Sequence, residues 1–345
     1  MKKVNLISAL VIIFFNFHCP AQDIYRNDNV FTIVSYNVEN LYDTIDDPKS
    51  NDNEFLPASK NRWNTEKYQK KIKNIALVLK SVNKNELPEL IGLIEVENKQ
   101  VLNDLVNQKF LTSGNYSIVH EDSPDERGID VAILYRKNEI EYLQHEAIKI
   151  KYDFEPRTTT RDILYFKGKL KNNEMLHVFL NHWKSRREGT EITEPKRIFS
   201  ARVLMQKVEE IIQKDPDAKI VIMGDFNDEP KNKSLNEVVN AGFEKTKGHN
   251  FKLINLMFDK FLFGQGTNYY NGKWYMIDNL IVSGSLINSP GNFEVNMDGG
   301  QIFKPDWLLI ENVKTGDYIP KRTFSNQKYI AGFSDHLPVY LVLRK

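Results

Sequence analysis

The stretch Lys219–Pro230, KIVIMGDFNDEP, constrains this chain more than any other. Ile220, Val221, Ile222 and Met223 form an unbroken apolar run, suited to a strand buried on both faces. Gly224 follows, so the backbone can turn with no side chain in the way. Asp225, Asn227, Asp228 and Glu229 come directly after. A buried strand that ends abruptly in carboxylates and an amide aims polar groups at a pocket mouth, where α/β proteins tend to keep their chemistry. The competing reading is a strand running into an acidic turn, since Asp and Asn are common turn formers.

The N-terminus reads as a leader rather than as part of the fold. Lys2 and Lys3 precede an apolar run, Leu6 to Phe15, too short to span a bilayer comfortably. Cys19-Pro20-Ala21 then offers a small-residue cleavage site, so residues 1–21 are expected to be a secretory signal peptide. A lipid anchor on Cys19 is the runner-up, disfavoured by the bulky or polar Asn16, Phe17 and His18 before it. Cys19 is the one cysteine in the sequence, so the mature chain would carry no disulfide and no thiolate chemistry. An exported protein, periplasmic, cell-surface or extracellular, is the expectation. The formal charge is +1, and removing the two leader lysines leaves the chain close to neutral. Attraction to a polyanion must then come from a local patch. No repeat, low-complexity tract or long linker is visible, so residues 23–345 read as one domain.

Val30–Asn37 alternates like a strand and ends at Asn37. Residues 67–82 place Tyr68, Ile72, Ile75, Ala76, Leu79 and Val82 on one helical face. Leu90–Ile94 is a buried strand that stops at Glu95. Ser117–His120 and Asp130–Arg136 read as neighbouring strands, and Ile163–Leu170 with Met175–Asn181 as a hairpin. Thr193–Lys214 is the longest helix, while Trp274–Val282 and Leu337–Leu343 are further strands. Hairpins mixed with helical crossovers fit two packed sheets with helices outside better than a doubly wound parallel sheet.

Polar residues recur where these strands start or end: Asn37, Glu95, His182, Asp225 with Asn227, and Asp335-His336. Asp278 sits inside the apolar run Met276–Val282, and a buried carboxylate needs a partner or a function. Each has a bland reading as a turn or a structural histidine, but together they suit hydrolysis of a phosphate ester. Hard oxygen ligands such as Glu95 and Asp335 favour magnesium or manganese over zinc. Two histidines suit proton delivery and charge stabilisation in the transition state, and Asp225 can polarise an attacking water.

The chain resembles the endonuclease/exonuclease/phosphatase superfamily, which includes DNase I-like nucleases, sphingomyelinases and inositol-phosphate phosphatases. The matching pieces are SYNVEN (35–40), GLIEVEN (92–98), RGIDVAILYR (127–136), LNHWKSR (180–186), GDFND (224–228), IDNLIVS (277–283) and SDHLPV (334–339). They run in the family's order over nearly the whole mature chain. The resemblance implies a four-layer α/β sandwich, two packed mixed β-sheets flanked by helices, with the site at one end of the sheets. It also implies roles. Glu95 looks like the main metal ligand, with Asn37 and Asp335 nearby, and Mg²⁺ or Mn²⁺ as the cofactor. Asp225 looks like the water-activating carboxylate, with Asn227 orienting water or phosphate. His336 paired with Asp278 looks like the group facing the scissile phosphate, and His182 like the second histidine. Glu121 falls where a glutamate supports that histidine, with Asp122, Asp125 and Glu126 competing for the place. Ile94 stands where many relatives have Gln, and His182 follows Asn181 where many have an intervening Thr.

Lys184, Arg186 and Arg187 beside Trp183 suit a nucleic-acid strand, and Arg161 is a second candidate phosphate contact. The same residues also read as a solvated loop. Tyr269 and Tyr270 fit either an aromatic wall of the site or core. The favoured function is a metal-dependent phosphodiester hydrolase, an exported endonuclease acting on nucleic acid. Neither a protein partner nor membrane insertion after cleavage is expected. The alternatives are a phospholipid or small phosphate-ester phosphodiesterase, which should show an exposed apolar hairpin, and a non-catalytic binding module.

Overall fold

The computed structural model describes residues 29–345 except 84–85, 243–252, 288, 290 and 326; the expected leader, with Cys19, lies outside the described residues. β1 (Val30–Leu41), β2 (Leu90–Val96), β3 (Tyr116–His120) and β4 (Asp130–Arg136) supply most of the first sheet. β5 (Ile140–Ile148), β6 (Ile163–Leu170), β7 (Met175–His182), β8 (Lys219–Asp225), β9 (Ala241–Gly242) and β10 (Leu253–Asn255) belong to the second. A small hairpin, β11 (Asn268–Tyr270) and β12 (Lys273–Tyr275), precedes β13 (Asp278–Ser283), which completes that sheet. The chain then returns to the first sheet with β14 (Gln301–Ile302). It makes two short hairpins, β15 (Leu309–Glu311) with β16 (Tyr318–Pro320) and β17 (Phe324–Ser325) with β18 (Lys328–Tyr329), and ends in β19 (Val339–Arg344).

Strand order is β14-β19-β1-β2-β4-β3 in the first sheet and β5-β6-β7-β8-β13-β10-β9 in the second. Both sheets are mixed. β1 runs parallel to β2 and antiparallel to β19; β8 runs parallel to β7 and antiparallel to β13. Strand side chains alternate between faces, and the packing follows. Ile33 points between the sheets with Ile94, Ile133, Leu180, Met223 and Leu280. Its neighbour Val34 points outward, under α1 (Thr65–Val82) and α2 (Lys99–Val106), with Ile72, Ile75, Leu79 and Leu102. α3 (Thr190–Lys214) covers the outer face of the second sheet with Ala201, Leu204 and Val208. The result is the expected four-layer α/β sandwich. Among the described residues no helix is long and apolar enough to cross a membrane.

Several sequence-based readings shift. β1 does not stop at Asn37 but continues to Leu41 through an irregularity in its register with β2, where Glu39 and Asn40 both take φ 53°. The expected strand Trp274–Val282 is split into β12 and β13. β5 was not expected: it is an edge strand with Glu141, Tyr142, Leu143 and Gln144 exposed, so it has no clean apolar alternation to read.

Candidate active site

Parallel pairing sets the framework. β1 and β2 end side by side in the first sheet, β7 and β8 in the second, and the register matches His182 with Asp225. The ends of all four strands therefore deliver Asn37, Glu95, His182 and Asp225 to one place. Gly224 allows this. It takes φ 138°, and a Cβ there would lie 2.0 Å from the carbonyl oxygen of Asn181, so no side chain fits between β7 and β8 at this level.

Asp225 is the hub. Its Oδ2 accepts a hydrogen bond from Asn37 Nδ2 at 3.0 Å, and its Oδ1 accepts from the Asn227 backbone N–H at 2.9 Å. Asn37 Nδ2 also reaches Glu95 Oε1 at 3.4 Å, so one amide bridges carboxylates from both sheets. His182 Nε2 stands 3.8 Å from both Glu95 Oε1 and Asp225 Oδ2. His336 Nε2 stands 3.8 Å from the same Asp225 oxygen, while its Nδ1 bonds Asp278 Oδ2 at 2.8 Å. Thr267 Oγ1 donates to that Asp278 oxygen at 2.5 Å. Ser334 explains why a serine precedes Asp335-His336: its hydroxyl donates to Asn37 O at 2.7 Å and accepts from the His336 N–H at 3.0 Å.

The two histidines carry opposite charge states. Burial alone would lower His336, but the Asp278 and Asp225 carboxylates outweigh it and raise the ring well above its ordinary value. Burial lowers His182 well below its ordinary value, helped by the nearby Arg161, Arg127 and His336 charges. Burial pushes Asp225 up to about 7 against the pull of His336. The site thus holds a cationic imidazole and a neutral one on either side of one carboxylate, the separation of roles that acid–base chemistry needs.

Glu95 occupies a left-handed backbone position, φ 66°, and Asn227 another, φ 50°. Such conformations cost energy and persist where the surroundings impose them. Here Glu95 Oε2 accepts from the Asn40 N–H at 2.9 Å and lies 3.6 Å from Arg127 Nη2. Asp335 is partly exposed and pairs with Arg322 Nη2 at 3.0 Å. Although burial opposes it, His336, Arg322 and Lys71 hold Asp335 below the usual carboxylate range. Glu95 and Asp335 offer carboxylate oxygens, which suit a hard cation, while Asn37 turns its Nδ2 to the carboxylates and its Oδ1 accepts from the Glu39 N–H at 3.0 Å. Both carboxylates have a guanidinium neighbour, Arg322 at 3.0 Å from Asp335 and Arg127 at 3.6 Å from Glu95, so the looser ion pair is the one at Glu95. One oxygen or nitrogen each from Asp225, Asp278 and His336 also lie within 4.8 Å of one another, but the His336–Asp278 bond occupies two of those groups.

Several sequence expectations fail on geometry. Glu121 does not support His182: it pairs on the surface with His145 Nε2 at 2.9 Å, and His182 Nδ1 has no hydrogen-bond partner. Replacing Glu121 with alanine is therefore expected to leave turnover within about twofold, the scale of a surface change without partners in the site; a large loss in a steady-state assay would restore it to the mechanism. Arg186 is not free to grip a ligand. Its Nε donates to Asn227 O at 2.5 Å and its Nη2 to Asp228 Oδ1 at 2.9 Å and Asn232 Oδ1 at 2.8 Å. Arg161 is buried, paired with Asp125 at 2.7 Å and donating to Trp183 O at 2.8 Å. Trp183 is buried edge-on against Phe226, so no base can stack on it. Lys184 pairs with Glu188 at 2.8 Å, and Arg187 alone of the set is exposed. These cations hold the loops: Arg197 Nε also lies 2.7 Å from Asp228 Oδ1, fixing α3 to the turn after β8.

Other residues were not anticipated. Glu39 accepts from the Thr323 N–H at 2.7 Å and Arg322 Nε at 3.0 Å, anchoring the segment that leads to Asp335. Lys71 of α1 is buried, donating to Thr323 Oγ1 and Phe333 O, each at 2.6 Å. The signal was present in α1, where a lysine one residue before Ile72 lies beside the apolar stripe. Arg127, at the head of the RGIDVAILYR piece, bonds Asn40 Oδ1 as well as facing Glu95.

A mixed four-layer sandwich with acid, amide and imidazole groups gathered at one end of its sheets defines a DNase I-like hydrolase architecture. A sequence profile of the Endonuclease/Exonuclease/phosphatase family matches residues 32–345, and the chain belongs to that family. No curated protein matches it. Among solved structures, truncated TDP2 from Caenorhabditis elegans is 18% identical with a TM-score of 0.56, over 92% of this chain and 98% of that one. TDP2 from D. rerio, complexed with a single-strand DNA product, is 16% identical with a TM-score of 0.55, over 92% of this chain and 100% of that one. An endonuclease/exonuclease/phosphatase family protein from Bacteroides thetaiotaomicron is 18% identical with a TM-score of 0.54, over 91% of this chain and 97% of that one.

Proposed function

We propose that this protein is an exported, divalent-metal-dependent phosphodiesterase that cleaves nucleic acid as an endonuclease. The observation that carries the chemistry is the shared carboxylate: His182 and His336, one neutral and one cationic, both face Asp225 Oδ2 at 3.8 Å. Glu95, with Asn37 and Asp335, would hold Mg²⁺ or Mn²⁺, which when bound polarises the scissile phosphate. Asp225 takes the proton of the attacking water, positioned by Asn37 and the Asn227 N–H. His336, kept cationic by Asp278, stabilises charge developing on the phosphate and can pass a proton to the leaving oxygen. His182, neutral, donates from Nε2 toward the same oxygens.

For the substrate, the support has moved from the loop after His182 to the hairpin β11–β12. β11 meets the site directly, since Asn268 bridges His336 and its side chain donates to Asp335 O at 3.0 Å. Two residues on, Tyr270 is 64% exposed. Across the hairpin Tyr270 pairs with Lys273, which is also exposed. An exposed aromatic next to a cation at the rim suits a base and its phosphate. One feature favours a lipid headgroup instead. The β15–β16 hairpin, which the sequence did not flag as apolar, exposes Val313 at 94%, together with Tyr318.

A panel of plasmid, RNA, sphingomyelin and inositol phosphates, with and without EDTA, tests both levels. Chelation is expected to abolish hydrolysis of every substrate, and magnesium or manganese to restore it. Activity untouched by exhaustive chelation overturns the metal requirement. Hydrolysis confined to sphingomyelin moves the substrate to lipid.

A further inference from the structure

A second cluster of titratable groups lies away from the catalytic residues. β3 ends at His120 and β4 begins at Asp130, and their antiparallel pairing brings the two together at the neck of the loop Glu121–Ile129. His120 Nε2 is 3.8 Å from Asp130 Oδ2, and His120 Nδ1 is 3.9 Å from Asp122 Oδ1. One donor atom from each of the three residues lies within 4.8 Å of the others. Ser123 takes the other Asp130 oxygen, through its N–H at 3.0 Å and its hydroxyl, which leaves Oδ2 turned to the ring.

His120 is the independent sign of a ligand. Its side chain is 4% exposed, yet Nε2 has no hydrogen-bond partner among the described residues. A separation of 3.8 Å from Asp130 is too long for a hydrogen bond, and a buried nitrogen left unpaired is costly. Donors that share one metal ion at about 2.0–2.2 Å in tetrahedral geometry stand about 3.4 Å apart; Nε2 and Asp130 Oδ2 are close to that separation, and the exposed Asp122, 3.9 Å from Nδ1, completes the set by swinging toward the Nε2 side.

We propose that His120, Asp122 and Asp130 bind a divalent transition-metal ion, separate from the catalytic centre, which clamps the loop between β3 and β4. An imidazole with two carboxylates suits zinc, cobalt or manganese better than magnesium or calcium, which prefer all-oxygen sets. The clamped loop matters to the active site. Arg127 on it faces Glu95, and Asp125 on it holds Arg161, which in turn holds the Trp183 carbonyl beside His182. The ion would fix the ends of a segment that touches both carboxylate and histidine sides of the site.

The test is equilibrium dialysis of the full chain against micromolar zinc, with millimolar magnesium present to occupy the catalytic centre. One zinc per chain is expected for the unaltered protein and for Glu95→Gln, and almost none for His120→Ala. Asp122→Ala removes an exposed side chain that folding does not need, and should weaken zinc at least ~10-fold, the scale of losing one ligating contact. Zinc should slow hydrogen exchange across residues 121–129 in the unaltered protein and not in His120→Ala. Equal zinc in His120→Ala and the unaltered chain overturns the proposal, as does zinc lost with Glu95→Gln instead, or no zinc bound at all. If His120→Ala fails to fold, Asp122→Ala decides.

Discussion

Replacing Asp225 with alanine is expected to lower kcat/KM by about 10²- to 10⁴-fold, the scale for losing a group that moves a proton and organises charge. Asp225 is the point where the two sheets, both histidines and the Asn37 amide meet, so its loss removes the acceptor and loosens three partners at once. His336→Ala should fall in the same range, because Asp278 would then lose its one imidazole partner. Folding should not suffer. Burial raises Asp225 to about 7 from an ordinary 3.8, so the fold works against its charge. The folded protein keeps that proton to higher pH than the unfolded chain does. In metal-free protein the Asp225 contribution is therefore present below about 4 and lost as pH rises through about 7. Asp225→Asn should flatten this fall in melting temperature while remaining almost inactive. Turnover of bis-p-nitrophenyl phosphate and thermal melts across pH check both parts. A folded variant with near-normal turnover would remove Asp225 from the chemistry.

The second large effect falls one residue earlier. Gly224→Ala should destabilise the protein by roughly 4 kcal/mol or more, in the tail reserved for backbone strain and buried clashes. A Cβ at this position meets the Asn181 carbonyl oxygen at 2.0 Å, backbone one pair from the end of the β7–β8 ladder and held by it. The required φ of 138° adds a second penalty for any L side chain. Denaturant midpoints measure it, with Asp225→Asn as the neighbouring control. A midpoint within error of the unaltered protein would mean that β7 and β8 can separate at the site without cost.

Much of the architecture was legible because apolar runs with polar ends carry their own boundaries. β4 and β6 fall where alternation places them, and the polar strand ends meet as expected from their order. What escaped was set by tertiary contact. β5 is an exposed edge whose pattern has no buried face to reveal it. Arg186 and Arg161 read as phosphate contacts in one dimension. In the fold, Asp125 and Asp228 neutralise them, and those carboxylates are remote from their partners in the chain. Glu121 stands before DVAILYR, but just past the end of β3 its side chain meets His145 on the edge strand β5 at 2.9 Å. Glu39 and Lys71 stayed hidden because their partner, the Arg322–Phe333 segment, lies some 250 residues away.

The Asn37–Asp225 bond crosses from one sheet to the other at 3.0 Å. Each sheet keeps its own ladder of backbone bonds, and neither ladder depends on the other's register. A slide of one sheet over the other by a single residue step, about 3.3 Å, would leave both ladders whole and the secondary structure unchanged. It would also carry Asn37, Glu95 and the His336 segment, which Ser334 ties to Asn37, away from Asp225, Asp278 and His182. Catalytic competence in this protein is therefore a property of the seam, and it reports the alignment of two halves that could each persist without it.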